Sequence, residues 1–166
     1  PIGEKRWGFE MNYDNYIKVT QFYQDYAATV DRADWSGWLD LFSDDCEYKI
    51  QARENFDRGL PMAALSLSGK AMLKDRVYGI TETIFHDPYQ QLHLVANPRI
   101  IKQTGDVVES EANYSVFRTR NDGIAELFNV GRYIDRLHLK NNSVEVESRF
   151  CIFDNDMILN SLIYPI

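Results

Sequence analysis

Three histidines, His86, His93 and His138, are the residues of this sequence best suited by type to hold a metal or move a proton. A mononuclear iron site of two histidines and a carboxylate would need one further acid, and Asp87 and Asp135 are available. The spacing argues against it: no histidine has the i, i+4 pairing of a helical zinc protease or the C-x-H arrangement of a Rieske cluster. Histidines at the surface or satisfied by a hydrogen bond are the simpler reading. Nucleophilic chemistry fares no better, because there is no G-x-S-x-G and Ser66, Ser68 and Cys151 stand without motif context. A glycine-rich phosphate loop is also missing. What stays open is a conical pocket between helices and sheet, lined by Tyr114, Arg132, Asp135 or His93, in which a buried carboxylate acts as general base.

A second chemistry is recognition. The stretch ARENFDRGLP, residues 52–61, sets Arg53, Glu54, Asp57 and Arg58 around a lone Phe56. Charges ordinarily seek water, so a solvated strand-to-helix loop is the plain expectation. Both signs flanking an aromatic also suit a protein contact, since planar arginine forks pair bidentately with carboxylates.

These residues need elements to position them. Val19, Phe22, Tyr23, Tyr26, Ala27 and Val30 recur with the helical period and predict one buried helix face. Asp34 is placed to cap a short second helix carrying Trp35, Trp38, Leu39 and Phe42, and CEYKIQAR alternates as a strand. A third helix is predicted over residues 66–84, weakened at Gly79 and ended by Pro88. Strand-like runs follow at residues 92–102, 107–118, 124–139 and 144–153, joined by the turn signals QTGD, RNDG and KNNS. Short links of this kind make an antiparallel meander, and helices followed by strands give an α+β class. The run at 124–139 carries apolar residues on both parities, Phe128, Val130 and Ile134 on one and Leu127, Tyr133 and Leu137 on the other. One side would meet the chain's own helices and the other a neighbouring subunit.

The length of 166 residues predicts a single domain over residues 1–166, large enough to bury roughly 70% of its unfolded surface. A net charge of −7 argues against a nucleic-acid partner, which needs a basic surface. The amino end has no apolar run for a signal peptide, and no later segment is long and apolar enough to span a bilayer, so no membrane partner and a cytoplasmic location are expected. Pro1 is expected to mark a trimmed start. Cys46 and Cys151, outside any C-x-x-C pair, are expected as reduced thiols.

The segment YAATVDRADWSGWLDLFSDDCEYKIQARENFDRGLP, followed by MLKDRV, resembles the small β subunit of Rieske non-haem iron aromatic-ring-hydroxylating oxygenases. It looks closest to the salicylate 5-hydroxylase, anthranilate and terephthalate branch. The resemblance implies a cone-shaped, cystatin-like fold, of the nuclear-transport-factor and ketosteroid-isomerase type, with helices packed on a curved, mainly antiparallel sheet. It implies no catalytic, metal or cofactor-binding residue in this chain. A large α subunit would hold the Rieske cluster (2Fe-2S) and the mononuclear Fe(II), with other β subunits completing an α3β3 assembly. Electrons from NADH would arrive through a reductase and ferredoxin, and O2 would hydroxylate an aromatic acid, salicylate first. Arg53, Glu54, Phe56, Asp57, Arg58 and Tyr133 would then be subunit-contact residues. The alternatives are a free-standing isomerase or dehydratase using Asp135 or a histidine with a tyrosine, and a small-ligand binding module; fold alone does not choose among them.

Overall fold

The computed structural model describes residues 12–155, 158 and 161–166. Helix α1 spans Tyr13–Asp31 and is capped by Asn12, whose side chain accepts from the Asp14 amide at 3.0 Å. Its buried residues are the six of the predicted stripe, Val19, Phe22, Tyr23, Tyr26, Ala27 and Val30. Asp34 caps α2 (Trp35–Asp40) as expected, accepting from the Gly37 amide at 2.9 Å. Trp38 turns wholly inward, 5.0 Å from the Phe42 ring centre.

Strand β1 (Phe42–Ala52) leads into the charged segment. Residues expected to form a loop there make one helical turn, α3 (Arg53–Asp57), closed by an i, i+4 pair between Arg58 and Glu54 at 2.9 Å. The third predicted helix also needs correction, because its first residues are strand. β2 (Leu65–Ser68) pairs antiparallel with β1, placing Leu67 inward by period-2 alternation. Gly69, at φ +77°, takes the left-handed conformation that turns strand into helix α4 (Gly69–Tyr78). A π turn over Gly79–Thr83 ends it.

The run expected as one strand at 92–102 is two, β3 (Tyr89–Val95) and β4 (Arg99–Thr104). Pro98, lacking an N–H, falls in the break. Both halves pair with the long β5 (Val107–Arg120), β3 against residues 114–120 and β4 against residues 107–111. β6 (Glu126–Leu139) and β7 (Val144–Phe153) complete one sheet of order β2-β1-β7-β6-β5-β3, with β4 also on β5. All pairs are antiparallel except β1 with β7, so the sheet is mixed. The α+β class and the cone of helices on a curved sheet stand as read from the sequence.

Two bulges decide which side chains enter the cone. One interrupts the β5–β6 register between Val116 and Phe117, turning Phe128 inward and leaving Leu127 48% exposed. The other, between Arg136 and Leu137, shifts β7 so that Arg149 and Cys151 point inward with Val146. Val144, Val146, Phe150 and Ile152 share one parity in the sequence, and the bulge breaks it: Val146 is buried with Arg149 and Cys151 while Phe150 is not. No described helix is long and apolar enough to cross a membrane.

Candidate functional site

The inward faces of α1, β1, β5, β6 and β7 converge on a cone interior filled by side chains. Arg149 stands in its middle with no exposed surface, bound to Asp135 through Nε at 2.9 Å and Nη2 at 2.6 Å. Four rings surround the guanidinium: its Cζ lies 3.8 Å from the Tyr26 ring centre, 4.4 Å from Tyr133, 5.2 Å from Tyr23 and 5.4 Å from Phe22. Burial alone would lower the Arg149 pKa, but the Asp135 carboxylate, by charge and by hydrogen bonding, holds it well above its usual range.

The hydroxyls of Tyr23, Tyr26, Tyr48 and Tyr114 are spent on structure, while that of Tyr133 is buried without a hydrogen-bond partner among the described residues. Tyr26 and Tyr48 both donate to the Ile166 carbonyl, at 2.8 and 3.0 Å, and the Ile166 amide donates back to Tyr48 at 2.9 Å. Trp38 donates to the Tyr26 oxygen at 3.2 Å, and Tyr114 to Asn129 at 2.8 Å. Tyr114 and Tyr133 stack at 4.3 Å. Burial raises the phenol pKa of Tyr23, Tyr48, Tyr114 and Tyr133, and pushes Tyr26 up to about 12.

The residues proposed for a conical pocket are therefore separated. Tyr114 is buried in the ring stack, Asp135 is consumed by Arg149, and Arg132 lies on the opposite face of β6, 3.8 Å from Asp57. His93 is fastened to α1: its Nδ1 lies 2.6 Å from Asp31 Oδ1, and its amide donates to both Asp31 oxygens. His86 bonds Tyr164 at 2.9 Å, and His138 lies 3.9 Å from Glu147 on the outer face. Among the described residues no group of three or more His, Cys, Asp or Glu is arranged to hold a metal ion. The donors among the described residues thus fit neither a Rieske cluster nor mononuclear iron.

The outer face of the sheet is mixed in character. Leu92 and Leu94 of β3 and Leu127 of β6 are about half exposed there, joined through Leu92↔Phe117 and Phe117↔Leu127. A hollow of about 600 Å³ beside them is lined by Arg53, Leu94, Val130, Arg132 and Asp154 among others. Arg53 pairs with Asp154 at 3.2 Å, and Phe56 lies 5.9 Å from the Arg132 guanidinium. Of the expected contact residues, Arg53, Phe56 and Asp57 border this face, while Glu54 and Arg58 are paired with each other. Tyr133 is a correction: odd-numbered residues of β6 from 129 onward face the helices, so its side chain is wholly inside the cone. Sequence reasoning missed Arg149, whose only signal is a charge within the apolar run of β7.

The profile of the family described as ring hydroxylating beta subunit matches residues 26–160. The chain belongs to this family. Its relatives include the anthranilate 1,2-dioxygenase small subunit of Burkholderia cepacia, 24% identical over 91% of this chain and 94% of the relative. The terephthalate 1,2-dioxygenase terminal oxygenase component subunit beta 1 of Comamonas sp. is 25% identical over 92% of this chain and 99% of its own length. Among solved structures, a beta subunit assigned to an aromatic-ring-hydroxylating dioxygenase of Novosphingobium aromaticivorans is 37% identical with a TM-score of 0.85, covering 92% of this chain and 97% of that one. For a ring-hydroxylating β subunit, the packed interior and the half-apolar outer sheet are the two features that bear on role.

Proposed function

We propose that this ring-hydroxylating β subunit performs no chemical step itself and assembles with a large subunit that carries the Rieske cluster and the mononuclear iron. The observation that carries this reading is the filled cone. A free-standing isomerase, dehydratase or ligand-binding module that worked from the cone interior would need an accessible cavity there with a convergent polar group, whereas the candidate acid inside the cone is locked to Arg149 under four rings. The half-exposed leucines of the outer sheet favour a covering neighbour. Electrons from NADH reach the large subunit through a reductase and ferredoxin, and O2 is used there to hydroxylate an aromatic carboxylic acid. The acids named by the curated relatives, anthranilate and terephthalate, belong to that class, and salicylate is the substrate we expect. An α3β3 arrangement would let β subunits meet around a three-fold axis through their outer sheets.

Native purification of the chain from its source, with complex mass and iron content measured together, tests this. The expected result is an iron-containing larger chain in equal proportion. A chain that arrives alone overturns the reading. Alanine at both Arg53 and Arg58 should loosen the assembly; an unaltered complex with full activity would remove the charged segment from the interface.

A further inference from the structure

At the C-terminal end of β5, away from the outer-face hollow, lies a second hollow of about 440 Å³. Its size falls in the range of small-ligand sites, roughly 300–1,000 Å³. Arg76 of α4 and Arg118 and Arg120 of β5 line it, against a single lining carboxylate, Asp87. In a chain of net charge −7 this is a local reversal of sign. Arg118 is engaged by Glu126, at 3.0 Å through Nε and 2.6 Å through Nη2. Arg76 and Arg120 form no ion pair among the described residues.

Arg76 makes the case sharper. Its Nη2 donates to the Leu162 and Ile163 carbonyls at 2.7 and 2.6 Å, and its Nε is buried without an acceptor. Neutral carbonyls satisfy geometry without cancelling charge, and burial pulls the Arg76 pKa below its ordinary value. A partly desolvated guanidinium with no counter-ion is costly, and an anion in the hollow would offset that cost. The wall also has an aromatic part. Phe85 lines the hollow with its side chain fully exposed, and the Tyr89 ring lies beside it. An exposed phenylalanine on the rim of a cationic hollow suits a ligand that has an apolar body as well as a charge.

We infer that this hollow binds a small organic anion, a carboxylate on an apolar body, with Arg76 and Arg120 on the charge and Phe85 and Tyr89 against the body. This site belongs to the chain's own surface and is independent of where the oxygenase chemistry takes place. The Arg120 side chain is exposed and forms no ion pair among the described residues, although its carbonyl accepts from the Gly123 amide and its charge is felt at Glu126, so it separates binding from folding more cleanly than Arg76, which also pins residues 162–163.

The test is titration of the full chain with benzoate, and in parallel with inorganic phosphate, followed by amide NMR shifts and calorimetry. Saturable shifts at residues 84–87 and 118–120 are expected with benzoate, weakening with salt. Arg120→Gln should lower affinity about tenfold, the loss of one charge-assisted contact, with an unchanged Tm. Phe85→Ala should weaken benzoate and leave phosphate unaffected. Absence of saturable shifts at millimolar benzoate overturns the site, as does equal affinity in the wild type, Arg120→Gln and Arg76→Gln. Phosphate binding as tightly as benzoate removes the apolar body from the assignment. If benzoate binds the isolated chain and is excluded from the purified native complex, the counter-ion is a partner's carboxylate and the free-ligand assignment falls.

Discussion

A carboxylate buried among aromatic rings can hold a proton for chemistry or a charge for structure, and its partner decides which. Both oxygens of Asp135 accept from Arg149, at 2.9 and 2.6 Å, and its side chain has no exposed surface, so the acid that sequence offers as a general base is closed to a substrate. Removing one member of such a pair strands the other. Asp135→Ala should cost about 3–5 kcal/mol in urea unfolding, and the double change Asp135→Leu with Arg149→Met should recover most of it. A loss below about 1 kcal/mol in the single variant would show that the charge is not buried as described. Cys151 makes a parallel case at the same scale. Burial pushes its thiol up to about 12, and Cys46 is likewise buried and raised. Neither should react with a thiol reagent at neutral pH until the chain unfolds, because the thiolate is the reactive form; rapid native labelling of either would contradict the packing.

At the scale of elements, the close approach of β6 to β7 rests on Gly131. A Cβ there would strike the Ile152 carbonyl oxygen and come within 2.8 Å of Phe153 Cα. Gly131→Ala should therefore destabilise by about 1–3 kcal/mol or more, as overpacking does; a stability equal to wild type in thermal unfolding would mean the strands are further apart. Periodicity read the first helix well. The stripe of α1 and the Asp34 cap are local patterns, and both were legible. Residues 66–68 were missed because a helical period and a two-residue alternation overlap there, and pairing with β1 decides between them. The bulges were invisible for a similar reason: an extra residue shows itself only against the strand that lacks one.

At the scale of the whole molecule, five tyrosines from four elements, Tyr23 and Tyr26 of α1, Tyr48 of β1, Tyr114 of β5 and Tyr133 of β6, share one interior in which burial raises their pKa values. Below the ordinary value of 10.0 they are neutral in folded and unfolded chains alike and add no pH dependence. Above it the unfolded chain loses these protons first, so stability should fall as pH rises from 10 toward about 12, the Tyr26 value. Absorbance titration of phenolate should show these five ionising together with loss of ellipticity; five that ionise with the fold intact would refute the filled cone. On the outside, Leu94→Asp with Leu127→Asp should leave the fold intact and weaken association in sedimentation, each leucine being worth about 1.5–3 kcal/mol when covered. Unchanged association would move the neighbour to another face. What sequence alone determined was local or motif-borne: the helix stripe, the caps, the α+β order, and the family, carried by RENFDRGLP and MLKDRV. What only tertiary structure decided was which distant residues meet. The Asp135–Arg149 pair spans 14 residues and Arg76 to Leu162 spans 86, and such pairs depend on strand register and bulges, which are properties of two chains of residues side by side and are written in neither one alone.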